Sequence, residues 1–197
     1  MLKVGVTGNI GSGKSIICDM FNAYGIPIYN ADLETRNLME TNYEIIRQVK
    51  KEFGEQSYLN NKLNRPYISQ IVFSDAHKLQ TLNAITHPKV IEHAQKWMDK
   101  QTTPYTIKEA ALIFESGSAK GLDIIIGVAA PLSIRIQRVM KRDGLSREDI
   151  MKRMDKQMDQ DIKMKLCDIV IYNNDNNYET LKKQVDVIHH RLLNYKE

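Results

Sequence analysis

The sequence predicts an α/β fold in which helices cover both faces of a five-stranded parallel sheet. Short apolar runs alternate with segments of helical periodicity from end to end, and no linker rich in proline, glycine or serine divides the chain. The strand candidates are apolar at successive positions, as in strands that are covered on both faces. With 197 residues, 42% of them hydrophobic, the chain can form one such core and is too short for two full domains.

Five apolar runs are the strand candidates, and they are expected at residues 2–7, 26–29, 105–114, 123–130 and 168–172. About 75 residues separate the second run from the third, which is far more than one crossover helix requires. This stretch predicts an inserted helical subdomain, with helical patterns at 43–52, 65–73, 78–85 and 89–100.

Three helices are expected in the last third of the chain. The pattern at 132–141 follows Pro131 and stops before Gly144, which is the usual punctuation of a helix. A start resembling a capping box at Ser146–Asp149 begins a second helix that continues to about residue 157. An amphipathic pattern at 178–193 predicts a closing helix.

Composition excludes several classes of protein. A net charge of +4 is too small to indicate a nucleic-acid partner. The two cysteines, Cys18 and Cys167, lack the spacing of a zinc site or a disulfide framework. The apolar N-terminal stretch leads directly into glycines instead of forming a signal peptide, and no apolar run of about 18 residues occurs. We therefore expect a cytoplasmic protein with no membrane partner. The oligomeric state does not follow from composition, and a monomer is the expectation.

The segment after the first strand has the pattern of a phosphate-binding loop, and the alternative is a glycine-rich strand-to-helix turn that binds no ligand. Residues 8–15, Gly-Asn-Ile-Gly-Ser-Gly-Lys-Ser, fit the pattern G-x-x-x-x-G-K-[ST], with a strand before it and a helix after it. Small residues let backbone N–H groups wrap around phosphate oxygens at a helix N-terminus, where an anion is favoured. The lysine is expected to reach the β- and γ-phosphates and the serine to ligate Mg²⁺. Nucleotide contacts are expected from Gly8, Gly11, Ser12, Gly13, Lys14, Ser15 and Ile16.

The loop alone does not identify the phosphate acceptor. A GTPase should carry Asn-Lys-x-Asp after a strand, whereas the nearest string here, Asn61-Lys62-Leu63-Asn64, lacks the Asp and lies in the insert. Larger ATPases need a longer chain. The length and layout favour a small-molecule kinase that uses ATP, in which the insert binds the acceptor and a basic helical hairpin closes on the phosphates.

Several motifs in order resemble the dephospho-CoA kinase family over nearly the whole chain. They are VGVTGNIGSGKS, YNADLETR, LNRPYISQIVF, AITHPKV, EAALIFESG, RIQRVMKRDGLSREDIMKRMDKQ and DIVIYNND. The chain departs from the family pattern at Asn9, Thr35 and Ala111, where Gly, Ala and Pro are usual, and none of these changes removes a group that the chemistry requires.

The resemblance implies a P-loop kinase that transfers the γ-phosphate of ATP, with Mg²⁺, to the ribose 3′-hydroxyl of dephospho-CoA. It also implies a core of residues 1–35, 99–137 and 161–197, an acceptor-binding insert at 36–98 and a lid at 138–160. Two alternatives stay open: a kinase for another small hydroxyl acceptor, and a nucleotide-sensing protein without transfer activity.

Two carboxylates and one arginine are candidates for the reaction centre. Asp32 follows the second strand, at the sheet edge where ligands of α/β folds bind, so it could be the general base or simply cap the next helix. The resemblance favours the base, and it favours substrate binding by Arg36 over pairing with Asp32. Glu109 interrupts an apolar strand and could act on the metal directly or through water, or face outward at an edge.

Other candidates lie farther along the chain. Glu115 could bind the acceptor or cap a turn, and His87, before Pro88, could contact the acceptor or only cap a helix or pack there. Asn173 follows the last strand, where it could contact ATP or form a turn. Among the basic residues of the expected lid, Arg138 and Arg142 lie four apart and are the candidates for stabilising the transferred phosphoryl group.

Overall fold

The computed structural model describes residues 1–175 and 177–195. The chain forms two compact units, one of Met1–Asn30 with Met98–Glu197 and the other of Ala31–Trp97. Within the described residues, no helix has both the length and the apolar character needed to span a membrane.

The strands and helices are numbered in chain order. The strands are β1 (Leu2–Thr7), β2 (Ile28–Asn30), β3 (Tyr58–Leu59), β4 (Lys62–Leu63), β5 (Tyr105–Glu109), β6 (Ile124–Ala129) and β7 (Ile169–Tyr172). The helices are α1 (Lys14–Asn22), α2 (Ala31–Thr41), α3 (Tyr43–Phe53), α4 (Arg65–Ser74), α5 (Ala76–Met98), α6 (Leu132–Asp143), α7 (Arg147–Met154), α8 (Gln160–Lys165) and α9 (Tyr178–Leu193).

The first unit is built on a five-stranded parallel sheet with the strand order β2-β5-β1-β6-β7, as the sequence predicts. All six residues of β6 are buried, because this strand is covered on both faces. One face carries Val6 and Ile126 into a core with α1 and α9. On the other face, α8 lies so close to Gly127 that an added Cβ would come within 2.6 Å of Met164 Sδ.

The register places the carboxyl ends of the strands at one edge of this sheet. Val6 lies beside Glu109, and Thr7 lies beside Gly127. Asn30, the last residue of β2, also pairs with Glu109. Since ligands of open α/β sheets bind at this edge, the loop after β1 is in the expected place for a binding site.

The third predicted strand is too long. It was expected to reach residue 114, whereas β5 ends at Glu109 and residues 111–121 form consecutive turns. Ser116 N–H bonds the Leu112 carbonyl at 3.0 Å, so the backbone coils here although Ile113 is fully buried. A short apolar run does not by itself distinguish a buried strand from a buried turn.

The second unit consists of α2–α5 and a short hairpin formed by β3 and β4. Asn60 and Asn61 take φ angles of 50° and 62°, the left-handed conformation that a two-residue hairpin turn requires. The helices pack around an apolar cluster of Met39, Ile45, Val49, Phe53, Tyr58, Ile68 and Val72.

The prediction of two helices at 78–85 and 89–100 is wrong, because α5 runs without a break from Ala76 to Met98 with Pro88 inside it. Proline removes the N–H that would bond the carbonyl of Ala84, and Ala84 is exposed, so water can supply the missing donor. His87 therefore lies within a helix, and the interpretation of it as a helix cap is also wrong.

Candidate active site

The phosphate loop joins the end of β1 to the first turn of α1. Gly11 and Gly13 have φ angles of 80° and 98°, in the left-handed region that favours glycine. An added Cβ on Gly11 would lie 2.5 Å from the Arg135 carbonyl oxygen, and one on Gly13 would overlap Asn173. Both positions therefore require glycine for conformation and for space.

The N-terminus of α1 has the properties of an anion site. Its cap residue, Gly13, supplies no side-chain hydrogen bond, and the first turn holds no acidic residue. The N–H groups and the positive end of the helix dipole are therefore available to an anion. Lys14 Nζ donates to the Gly8 carbonyl at 2.9 Å, so the ammonium lies over the loop. The Ser12 hydroxyl is buried with no partner among the described residues.

A cavity of about 300 Å³ opens at this helix end. It lies between the phosphate loop with the start of α1 on one side and α6 on the other. It is lined by Gly11, Gly13, Lys14, Ser15, Ile16, Arg138, Val139 and Arg142. Three cationic side chains around glycines and a helix N-terminus match the chemistry of a polyphosphate.

A second polar group lies where α1 meets β5. Ser15 Oγ donates to Glu109 Oε1 at 2.9 Å, and Asn30 Nδ2 donates to Glu109 Oε2 at 2.9 Å. Glu109 is only 7% exposed, so the interpretation of it as an outward-facing edge residue is wrong. Buried carboxylates are rare unless they are paired, and this one is held by two side chains.

The Ser15–Glu109 pair fits a magnesium ion bound together with a nucleotide. Mg²⁺ takes oxygen ligands and usually combines few protein oxygens with phosphate oxygens and water. No cluster of three His, Cys, Asp or Glu side chains suited to a metal occurs in the described part of the chain. The Ser15 hydroxyl and the Glu109 carboxylate supply the few protein oxygens that such a site needs.

Asp32 and Arg36 lie in the second unit, on one side of α2, and both side chains are exposed. α2 starts at Ala31, so Asp32 belongs to its first turn, and the alternative of Asp32 as the N-cap is wrong. No ion pair links Asp32 to Arg36 within residues 1–175 and 177–195. The alternative that Arg36 merely pairs with this carboxylate is therefore not supported.

Arg138 and Asn173 hold the phosphate loop from outside. Arg138 Nη1 donates to the Gly11 and Ser12 carbonyls at 3.1 Å, and its Nη2 donates to Asn173 Oδ1 at 2.7 Å. Asn173 is fully buried, and its Nδ2 donates to the Ser12 carbonyl at 2.9 Å. Desolvation by burial lowers the pKa of the Arg138 guanidinium. The predicted nucleotide contact of Asn173 is not tested by this arrangement, which gives the residue a clear role in loop position.

Arg142 is exposed and belongs to the last turn of α6. It forms a bidentate pair with Asp143, at 2.7 and 2.9 Å, and this hydrogen bonding raises the pKa of its guanidinium. The pair is with the adjacent residue on the surface, so it is weak and can exchange for a phosphate.

Glu115 is engaged by residues of its own unit. Its Oε1 accepts from Lys163 Nζ at 2.9 Å and from the Met158 N–H at 3.0 Å. Burial opposes ionisation of Glu115, but the hydrogen bonds from Lys163 and Met158 outweigh it and lower the carboxyl pKa. Its predicted contact with the acceptor, like that of His87, stays a prediction.

Sequence reasoning missed four residues that support the phosphate loop. Asn30 binds the carboxylate of Glu109. Gln157 and Met158 bind the loop itself at Ile10 and Asn9. Lys163 is fully buried beside Glu115. None of these four residues stands out in the sequence. Their partner Asn9 does, because it occupies a position where the family usually has Gly.

Comparison with known proteins agrees with this geometry. The family model for dephospho-CoA kinase matches residues 2–179. A dephospho-CoA kinase of Chlorobaculum tepidum is 38% identical over 200 residues, covering 98% of this chain and 95% of that protein. One of Bacteroides fragilis is 34% identical over 173 residues, covering 87% of this chain and 84% of that protein.

Solved structures give the same result. A Thermus thermophilus protein superposes with a TM-score of 0.83 at 31% identity, covering 97% of both chains. The dephospho-CoA kinase from Campylobacter jejuni has a TM-score of 0.70 at 27% identity, covering 96% of both chains. A shikimate kinase from Acinetobacter baumannii, at 13% identity and a TM-score of 0.58 over 96% of this chain and 93% of that one, shares the fold.

Proposed function

The chain belongs to the dephospho-CoA kinase family, and we propose that it transfers the γ-phosphate of ATP to the ribose 3′-hydroxyl of dephospho-CoA, giving CoA and ADP. The observation that carries this proposal is the uncapped N-terminus of α1, which opens on a cavity lined by Lys14, Arg138 and Arg142. Such a site binds the phosphates of a nucleotide, and the family supplies the acceptor.

The phosphate loop and its basic neighbours hold the donor. Backbone N–H groups at the start of α1 bind phosphate oxygens, and Lys14 moves from the Gly8 carbonyl to the β- and γ-phosphates. Arg142 exchanges its surface carboxylate for the transferred group, where it stabilises the charge that develops in the transition state.

A magnesium ion belongs to this proposal. The Ser15 hydroxyl would be its protein ligand, and the ion would supply neutralisation of the phosphate charge during transfer. Glu109 holds Ser15 in place and offers a carboxylate to the ion or to its water ligands. Asn30 fixes the other oxygen of Glu109, so the carboxylate has one orientation.

Asp32 is the proposed general base. Its carboxylate is exposed in the first turn of α2, from which it would accept the proton of the attacking hydroxyl. Residues 36–98 form the proposed acceptor-binding part, with Arg36 and His87 as contacts. Residues 138–160 form the proposed lid. We further infer a monomeric, cytoplasmic protein.

ADP release from ATP and Mg²⁺ tests the proposed function, run in parallel with dephospho-CoA, AMP, shikimate, gluconate and no acceptor. The proposal predicts turnover with dephospho-CoA alone. Turnover with another acceptor would refute the assignment of the substrate but keep the phosphate site. ATP binding without any turnover would favour a nucleotide-sensing protein.

A further inference from the structure

Among the largest fully buried side chains of residues 1–175 and 177–195, Lys163 is the one that carries a charge. A buried ammonium costs free energy unless acceptors surround it. Lys163 Nζ meets this requirement with the Ala111 carbonyl at 3.0 Å and Glu115 Oε1 at 2.9 Å. The lysine therefore fixes the position of the Glu115 carboxylate, whose side chain is 22% exposed.

The same carboxylate oxygen holds the segment that follows α7. Glu115 Oε1 accepts the Met158 N–H at 3.0 Å. A hydrogen bond to a charged acceptor is stronger than one between neutral groups, so this contact pins the backbone of Met158. Met158 stands between the helical hairpin of α6 and α7 and the start of α8.

Met158 and its neighbour in turn hold the first half of the phosphate loop. Asn9 Nδ2 donates to the Met158 carbonyl at 2.8 Å, and the Ile10 N–H donates to Gln157 Oε1 at 2.9 Å. The Ile10 side chain packs against the apolar cluster between α6 and α7, formed by Ile136, Val139, Ile150 and Met154. The loop is thus attached to residues 157–158 by the Asn9 side chain and the Ile10 N–H, and to α6 and α7 by the Ile10 side chain.

We propose that the buried Lys163–Glu115 pair is a positioning device for phosphoryl transfer, which sets the phosphate loop through Met158 and Asn9. Glu115 and Lys163 are positioning residues in this role, since neither needs to touch a reactant. This inference rests on the proposed function, because it assigns the pair to that reaction. It gives Glu115 a different task from binding the acceptor.

The position of the loop matters because Asn9 and Ile10 directly precede Gly11, which lines the nucleotide cavity. Displacement of reacting groups by about 1 Å can cost about 100-fold in rate. Release of the Met158 contact should therefore slow transfer while leaving the acceptor site unchanged. An acceptor contact by Glu115 would instead change the KM for dephospho-CoA.

Two double variants separate the hydrogen bond from the charge. Lys163→Met with Glu115→Gln removes both charges but keeps an amide oxygen that can accept the Met158 N–H. Lys163→Met with Glu115→Ala removes both charges and the acceptor. Replacing a buried ion pair by neutral groups is often tolerated, so both proteins should fold. Asp99→Asn, which removes the carboxylate of the Lys3 pair at the amino edge of the sheet, is the matched control for loss of an ion pair.

The measurements are kcat, both KM values and amide hydrogen exchange. We expect the Ala double variant to have a kcat about tenfold below the Gln double variant, with KM for dephospho-CoA within about twofold and faster exchange at Met158 and Ile10. The Gln double variant and Asp99→Asn should keep kcat within about threefold of the wild-type value. The first retains an acceptor for the Met158 N–H, and the second changes a residue far from the loop.

Equal kcat values for the two double variants would overturn the proposal, as would a raised KM for dephospho-CoA at unchanged kcat. If the Ala double variant does not fold, Asn9→Ala cuts the same link at its other end and should lower kcat about three- to tenfold with the KM for dephospho-CoA unchanged; an unchanged kcat would then contradict it. A wild-type protein inactive on dephospho-CoA would refute the proposed function, whereas the exchange rates test the link between Glu115 and the loop separately.

Discussion

The Ser15 hydroxyl donates a 2.9 Å hydrogen bond to Glu109 Oε1, which joins the last residue of the phosphate loop to the end of β5. Two side chains from different parts of the chain are thereby brought to one edge of the sheet. Asn30 holds the second oxygen of Glu109 from β2. Three neighbouring elements of the sheet edge therefore contribute to one polar group beside the nucleotide cavity.

Glu109→Gln should raise the Mg²⁺ concentration needed for half-maximal activity. The amide keeps the size of the side chain but removes the negative charge beside Ser15, so we expect an increase of about tenfold, typical of a change in the groups around a metal ligand. Activity titrated with MgCl₂ at fixed ATP measures it. An unchanged titration would show that Glu109 only supports the fold.

Lys14→Ala should abolish transfer and weaken ATP binding, because a positive charge on the phosphates is lost. Isothermal titration with a non-hydrolysable ATP analogue, together with a turnover assay, measures both effects. Lys182→Ala, which removes an exposed lysine of α9, is the control and should leave both unchanged. Near-normal turnover of the Lys14 variant would contradict the assignment of the phosphate loop.

Asp32→Asn should lower kcat by roughly 10²–10⁴, the range that general-base catalysis supplies, and leave ATP affinity unchanged. Glu34→Gln is a matched control, since Glu34 lies in the same first turn of α2. Steady-state kinetics of both variants measures the difference. If kcat of Asp32→Asn stays within about threefold of the wild type, Asp32 is not the base.

Asn173→Ala should destabilise the protein. It removes the side-chain hydrogen bonds from Asn173 to the half-buried Arg138 guanidinium and to the Ser12 carbonyl, which costs about 1–3 kcal/mol. Urea unfolding of the two proteins gives the difference in free energy. A loss of ATP affinity with unchanged stability would instead assign Asn173 to the nucleotide.

Acid should destabilise the first unit through His189. Its Nδ1 bonds the Tyr105 hydroxyl at 2.6 Å, and its ring stacks on Tyr24 at 4.2 Å between centroids. Burial and the neighbouring His190 lower the pKa of His189 from its ordinary value of 6.5, and Asp186 opposes this shift only in part. The unfolded chain therefore binds the proton first, so stability should fall as the pH drops below about 6.5.

His189→Phe should reduce this acid-dependent loss, because the replacement carries no titrating group. Urea unfolding of both proteins at pH 7.5 and pH 5.5 measures it. If both proteins lose the same free energy of unfolding between pH 7.5 and pH 5.5, His189 is excluded as the cause.

The strands and the phosphate loop could be predicted because each depends on local signals. Apolar runs give the strands, and the spacing of glycines and Lys14 gives the loop. The unbroken helix through Pro88 could not be predicted, because a proline is tolerated there only since Ala84, whose carbonyl loses its donor, is an exposed residue in the folded structure. The turns at residues 111–121 could not be predicted either, because a buried apolar residue such as Ile113 can belong to a strand or to a turn.

The candidate site divides in the same way. The residues of the loop were found from a motif, and Glu109 stood out as a charge inside an apolar run. The contacts of Lys163, Gln157 and Met158 join positions that are far apart in the chain. Hydrophobic periodicity is a local signal, so it does not predict such contacts. Arg138 was expected to serve the phosphates, and its hydrogen bonds to the Gly11 and Ser12 carbonyls were not foreseen.

The central claim is that the phosphate goes from ATP to the 3′-hydroxyl of dephospho-CoA. The most direct test incubates the purified protein with ATP, Mg²⁺ and dephospho-CoA and identifies the product by mass spectrometry and ³¹P nuclear magnetic resonance. The account predicts one new phosphate monoester at the ribose 3′ position, formed in equal amount with ADP. ADP formed without any phosphorylated dephospho-CoA, or a phosphate at another position, would contradict it.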